Sequence, residues 1–184
     1  MGKVLVAYAT RTGETQQIAE LIGEGIRLAG HQADVVNLKN IKNEADLAGY
    51  DGYAFGSATY HGEMLQAMKT FLFLAEKATL EGKAGGAFGA FGWSGEANDR
   101  IFQTMKNVLK MNMVGDCLRL KSGNLGGGVQ MAQEYGRQIA MKLDAFNRER
   151  QTIEMSVLQS AIEQVEARQP AGRAVLLAAA AGGH

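Results

Sequence analysis

Apolar positions along this chain alternate between two patterns. Compact apolar runs at residues 3–8, 33–38, 51–55, 83–88 and 116–120 read as strands, the fourth rich in small residues. Between them, apolar residues recur at helical spacing. In 15–28, Ile18, Leu21, Ile22, Gly25 and Ile26 share one face, and Gly30 stops the helix. Further helices are expected at 64–75, 97–109 and 129–146. Strand and helix alternating in this way predict an α/β fold with a parallel sheet and helices on both of its faces.

Chemistry gathers where the strands end. Thr10-Arg11-Thr12-Gly13-Glu14-Thr15 joins the first strand to the first helix. A helix N-terminus offers unpaired N–H groups and a favourable dipole to an anion. The threonine hydroxyls add donors, and Gly13 lets the backbone turn closely around phosphate oxygens. The lysine that follows the glycine of a triphosphate-binding loop is missing, so the hexapeptide suits a phosphate monoester; alternatively it is a plain helix cap. Two more loops follow the third and fourth strands: Gly56-Ser57-Ala58-Thr59-Tyr60-His61-Gly62-Glu63-Met64 and Gly89-Ala90-Phe91-Gly92-Trp93-Ser94-Gly95-Glu96-Ala97.

These three segments, in this order and spacing, resemble the flavodoxin family over roughly residues 3–146. The wording of the two later loops is closest to the flavodoxin-like part of flavodiiron proteins (A-type flavoproteins). The resemblance implies a doubly wound five-stranded parallel sheet of order 2-1-3-4-5, with the ligand in the crevice beyond the first and third strands. It implies FMN as cofactor, and with it a set of binding residues: Thr10, Arg11, Thr12, Gly13, Glu14 and Thr15 for the phosphate; Ser57, Ala58, Thr59, Tyr60, His61 and Gly62 in the first ring-flanking loop; Phe91, Gly92, Trp93, Ser94 and Gly95 in the second. Ser57 and Thr59 are candidates for ribityl or phosphate hydroxyls. Tyr60 and Trp93 are candidates to flank the ring, while Gly62, Gly92 and Gly95 let backbone groups approach its edge. In many flavodoxins a glycine directly follows the aromatic residue of the first loop. Here His61 stands there and Gly62 comes one later. Glu63 reads as a helix-start residue.

Charge and composition narrow the function. Lysine plus arginine (19) balances aspartate plus glutamate (19), which recommends neither nucleic acid nor an anionic membrane as partner. Cys117, the only cysteine, excludes an intrachain disulfide and a CxxC redox pair, and reads as a small buried hydrophobe. His31, His61 and His184 are not at metal-ligand spacing. No constellation for hydrolytic or covalent catalysis appears, and nothing in these residues resembles the iron-carrying half of flavodiiron proteins. With no leader-like start and no apolar run long enough for a bilayer, a cytoplasmic location is the default.

The resemblance stops near residue 147, which divides the chain into a domain at 1–147 and an extension at 148–184. In the extension Ile153, Val157, Leu158, Ala161, Ile162 and Val165 recur at helical spacing before Pro170. This is read as an interaction helix, for a homodimer or a redox partner, as an extra helix packed on its own sheet, or as a trailing linker. The function implied is an electron carrier between a redox protein donor and acceptor. The alternatives are an FMN-dependent oxidoreductase of quinone-reductase or protoporphyrinogen-oxidase type, and a noncatalytic scaffold that has kept the fold.

Overall fold

The computed structural model describes residues 1–92, 94–124 and 126–168. Its elements run β1 (Lys3–Ala9), α1 (Glu14–Leu28), β2 (Gln32–Asn37), β3 (Gly52–Ser57), β4 (Thr59–Tyr60), β5 (Glu63–Met64), α2 (Gln66–Glu76), β6 (Ala84–Ala90), α3 (Glu96–Asn107), β7 (Asn112–Met113), β8 (Leu118–Leu120) and α4 (Gly128–Arg168). Two short 3-10 turns, Leu38–Asn40 and Glu44–Leu47, connect β2 to β3.

Strands β2, β1, β3 and β6 lie side by side and parallel, and β7 and β8 both pair with β6. The doubly wound order expected from the sequence is therefore present, with its fifth strand in two pieces. Side chains along β1 alternate between two cores. Leu5 and Ala7 join Met68 and Phe71 of α2 and Ile101 and Met105 of α3. Val4, Val6 and Tyr8 join Ile18 and Ile22 of α1 and Tyr135 and Ile139 of α4. Helices thus cover both faces, as a parallel sheet requires.

Three expected boundaries need correction. Residues 116–120 form a strand only from Leu118, because the ladder breaks between β7 and β8. The Tyr135 hydroxyl bridges that break: it accepts the Ala87 N–H at 3.0 Å and donates to the Asp116 carbonyl at 2.9 Å. Burial pushes the Tyr135 phenol well above its ordinary pKa, so it stays a donor. The helix expected at 64–75 starts at Gln66, since Glu63 and Met64 pair with Tyr60 and Thr59 in a small hairpin. Finally, α4 does not stop at Phe146. It continues to Arg168, with no glycine or proline between 147 and 168 to break it.

Met1–Phe146 is one compact unit, and a second begins at Asn147. In the second, every residue from Arg148 to Arg168 is exposed. No helix among the described residues is long and apolar enough to cross a membrane.

Candidate functional site

Register places the candidate loops together. Ala9 pairs with Ser57 at the carboxyl ends of β1 and β3, and the Ala58 N–H bonds the Ala9 carbonyl at 3.3 Å. The loop at 10–15 and the one at 57–62 therefore leave the sheet from adjacent positions. The third loop leaves the next strand over, β6, with the Phe91 N–H on the Leu120 carbonyl at 3.1 Å.

In the first loop the Thr10 hydroxyl accepts the Gly13 N–H at 3.0 Å, which closes the turn and leaves its own proton free. Gly13 sits at φ +93, a conformation open to glycine, and nothing lies within 4 Å of where its Cβ would be. It is the N-cap of α1 without any side-chain cap bond, and the first helical bond runs from Gln17 N–H to the Gly13 carbonyl at 3.1 Å. The first-turn amides of α1 are thus left uncapped by any side chain. Arg11, Thr12 and Glu14 are exposed; Thr15 is only 1% exposed.

Two hydroxyl oxygens of this region, Thr15 Oγ1 and Thr59 Oγ1, are buried without a hydrogen-bond partner. An orphaned buried hydroxyl is costly and asks for an explanation. One stands in the first turn of α1 and the other in β4, on the two loops that leave adjacent strand ends.

The neighbouring hydroxyl behaves otherwise. Ser57, expected to meet ligand hydroxyls, accepts the Leu65 N–H at 3.0 Å and donates to the Ala58 carbonyl at 3.0 Å. Fully buried and doubly bonded, it clasps its own loop shut.

Beyond Ser57 the chain turns back through His61 and Gly62, at φ +50 and +75, between the paired strands β4 and β5. Positive φ at both central residues is the geometry of a two-residue hairpin turn matched to strand twist. His61 therefore occupies a backbone conformation that glycine would take without strain. Its ring meets Tyr60 edge-on at 4.3 Å between centroids, and the Arg11 guanidinium lies over the Tyr60 ring at 4.2 Å. Sequence reasoning had no access to this Arg11–Tyr60 contact, which joins the first loop to the second.

Glu63 is corrected in role as well as position. It starts no helix; its carboxylate bonds Lys69 of α2 at 2.7 Å and also Arg100 of α3. Those two partners, Lys69 first, hold it below the usual carboxylate range. The hairpin is thereby tied to two helices.

In the third loop Phe91, Ser94 and Gly95 are half-buried and Gly92 is exposed; Trp93 lies outside the described residues. Close packing holds the base of this loop. A Cβ on Gly89 would fall 2.0 Å from the Ser57 carbonyl oxygen, and one on Gly95 would fall 2.6 Å from Arg119 Cδ. Cys117, read as a plain hydrophobe, is buried but also donates to Asp99 Oδ1 at 3.2 Å. Asp99, Asp116 and Cys117 are the one group of potential metal ligands found among the described residues. Burial, then the Asp99 bond, pushes the thiol up to about 12, and Arg119 already pairs with the Asp99 carboxylate. At neutral pH this is a protonated thiol held by the Asp99 carboxylate. A hollow of about 410 Å³ lined by Glu44, Tyr53, Lys77 and Lys83 shares no residue with the three loops.

The flavodoxin family signature matches residues 6–140 of this sequence. The chain belongs to the flavodoxin family. Among solved structures, a flavodoxin from the domain Archaea is 31% identical with a TM-score of 0.73, covering 77% of this chain and 99% of its own. The type A flavoprotein fprA of Rhodobacter capsulatus is 30% identical over 145 residues, 74% of this chain and 32% of that protein. An NAD(P)H dehydrogenase (quinone) of Rhodopseudomonas palustris is 30% identical over 152 residues, 65% of this chain and 76% of that protein. The chain spans about a third of the length of the diflavin and type A flavoproteins it matches.

FMN is the cofactor of this flavodoxin fold. The residues present fit that group: the first turn of α1 carries no side-chain cap bond, and the Thr15 and Thr59 hydroxyls are buried donors without a partner. No carboxylate is buried among them.

Proposed function

We propose that this chain binds one FMN noncovalently at its three loops and passes electrons between a redox protein donor and a redox protein acceptor. The observation that carries the binding reading is the pair of buried, unpartnered hydroxyls of Thr15 and Thr59. With the first-turn amides of α1 they would receive the phosphate and the polar chain beside it, while Thr10, Thr12 and Gly13 shape the turn around it.

FMN supplies the redox chemistry when bound; the protein's share is to hold, cover and polarise it. Tyr60 would form one wall of the ring slot. Arg11 against its ring and His61 at its edge keep that wall in place. The Glu63 ties to Lys69 and Arg100 keep the whole hairpin from swinging away. A fixed aromatic wall supports a carrier, which covers the ring faces, over an enzyme, which needs one face open for substrate. Gly92, Ser94 and Gly95 would bring backbone groups to the other side of the slot.

The second reading is an FMN-dependent oxidoreductase acting on a small substrate such as a quinone, which the similarity to the Rhodopseudomonas palustris protein favours. Protoporphyrinogen oxidation belongs to the same alternative. Stepwise anaerobic reduction of the FMN-loaded protein, followed by its visible spectrum, separates the two. Reduction in two resolved one-electron steps, without turnover of NAD(P)H and quinone, supports the carrier. A single two-electron bleaching together with steady quinone turnover overturns it in favour of the enzyme.

A further inference from the structure

The part of α4 beyond Phe146 displays an apolar seam to solvent. Met155, Leu158, Ile162 and Val165 follow one another at steps of three, four and three residues, and are 66%, 56%, 44% and 59% exposed. That spacing is the a/d repeat of a coiled coil, which keeps one narrow face toward a partner helix over two heptads. From Glu154 to Arg168 the helix rises ~21 Å at 1.5 Å per residue. Exposed apolar rows of this kind mark an interaction surface.

We propose that this seam pairs with the same seam of a second copy, as an antiparallel two-helix coiled coil centred near Ser160. Charge decides both the occupant and the direction. When the helices run antiparallel with Met155 against the partner's Val165 and Leu158 against the partner's Ile162, the flanking positions are also matched. Glu154 then stands opposite the partner's Arg168, and two-fold symmetry repeats that pair. On the other flank Gln159 meets the partner's Gln159, and Thr152 meets the partner's Glu166. Among the described residues no like charges face each other. The surface is therefore self-complementary, as an isologous dimer contact must be.

The parallel arrangement lacks these matches. There Glu154 faces the partner's Gln159, Ala161 faces the partner's Glu166, and no opposite charges meet. One heptad before Met155 the same seam carries Arg148, which in a parallel pair would meet its own copy. Within its own helix Glu154 already lies 3.5 Å from Arg150. That exposed i,i+4 pair is weak, and the carboxylate has room for a second cation.

The test uses the full chain in analytical ultracentrifugation over a dilution series, with and without FMN. The expected species has twice the 19.7 kDa chain mass, whatever the FMN content. Glu154→Arg should weaken the dimer at least tenfold, and adding Arg168→Glu to it should restore the dimer. Ala161→Cys, which lies beside the partner's Ala161 only in the antiparallel register, should give an interchain disulfide under mild oxidation. Leu158→Glu should give monomers. All these positions are exposed, so an unchanged melting temperature in the monomeric variants shows that the domain still folds. A wild-type chain that stays monomeric at tens of micromolar overturns the proposal, even if another protein captures the helix. So does a dimer indifferent to Leu158→Glu, or one in which the charge swap fails to restore and Ala161→Cys fails to cross-link.

Discussion

Gly136 of α4 rests directly on the backbone of α1 at Gly25. A Cβ on Gly136 would fall 3.1 Å from the Gly25 Cα and 2.2 Å from the Ile22 carbonyl oxygen, while a Cβ on Gly25 would fall 2.0 Å from the Gln133 carbonyl oxygen. Alanine is favoured over glycine inside a helix by about 1 kcal/mol. Yet these contacts are with backbone, which cannot rotate away. Gly136→Ala should therefore destabilise the domain by about 1–3 kcal/mol, the usual cost of overpacking. Urea unfolding at fixed FMN concentration checks it. A gain in stability would mean that the helices separate freely.

Tyr135, one residue earlier, faces the sheet instead. Its hydroxyl serves Ala87 N–H and the Asp116 carbonyl where the fifth strand is broken. Tyr135→Phe should cost about 1–3 kcal/mol, because it leaves a buried N–H without a partner. Hydrogen exchange should quicken at Ala87 more than at Val6, whose place in the sheet does not depend on that hydroxyl.

His61 carries the backbone cost of the hairpin. At φ +50 a β-branched side chain is strained by about 1–3 kcal/mol, whereas asparagine and glycine fit the turn. His61→Val should lower the melting temperature, and His61→Asn should leave it level or raise it. Comparing the two in the FMN-free protein keeps ligand effects out of the measurement.

How much of this was legible beforehand follows from the range of the interactions involved. β1, its threonine loop and α1 are adjacent in sequence, so a short window contains both the apolar period and the turn chemistry that define them. The hairpin of β4 and β5 has two residues in each strand, too few for any period to show. Its ties, Glu63 to Lys69 and Arg100, and Tyr60 to Arg11, come from elsewhere in the chain. The break in the fifth strand is bridged by Tyr135, supplied by α4 from far along the chain. The spent hydroxyl of Ser57 and the orphaned one of Thr59 look alike in sequence; only the fold separates them. The continuity of α4 had a local signal, the absence of any breaker between 147 and 168, at the point where the family resemblance ends.

Cys117 yields a pH prediction. Burial and Asp99 raise its pKa in the folded state to about 12 from an ordinary 9.0. A raised pKa means that the folded state holds the proton more tightly than the unfolded state. This contribution to stability is therefore complete below the ordinary thiol pKa and is lost as pH rises from about 9 toward 12. Native protein should react slowly with a disulfide reagent at pH 8 and quickly once unfolded. Cys117→Ser should lessen the alkaline decline in stability, read from melting temperature against pH, and leave the part due to Tyr50, Tyr53 and Tyr135, whose phenols burial also raises.

Thr15 offers the sharpest separation between binding and folding. Its hydroxyl is buried and unpartnered, so without FMN it costs stability. Thr15→Val keeps the shape and removes that cost, so the FMN-free variant should melt at or above the wild-type temperature. If the hydroxyl donates to the phosphate, the variant loses a charge-assisted bond of about 1.5–3 kcal/mol, and FMN affinity should fall roughly tenfold to a hundredfold. Thr12→Val added to it should weaken binding further, because Thr12 is exposed on the same turn. Titration of FMN into the FMN-free proteins, read by quenching of flavin fluorescence, gives both affinities. A variant that folds as well as wild type and binds FMN equally well would take the phosphate away from this loop. A variant that loses stability and affinity together would instead make Thr15 a packing residue.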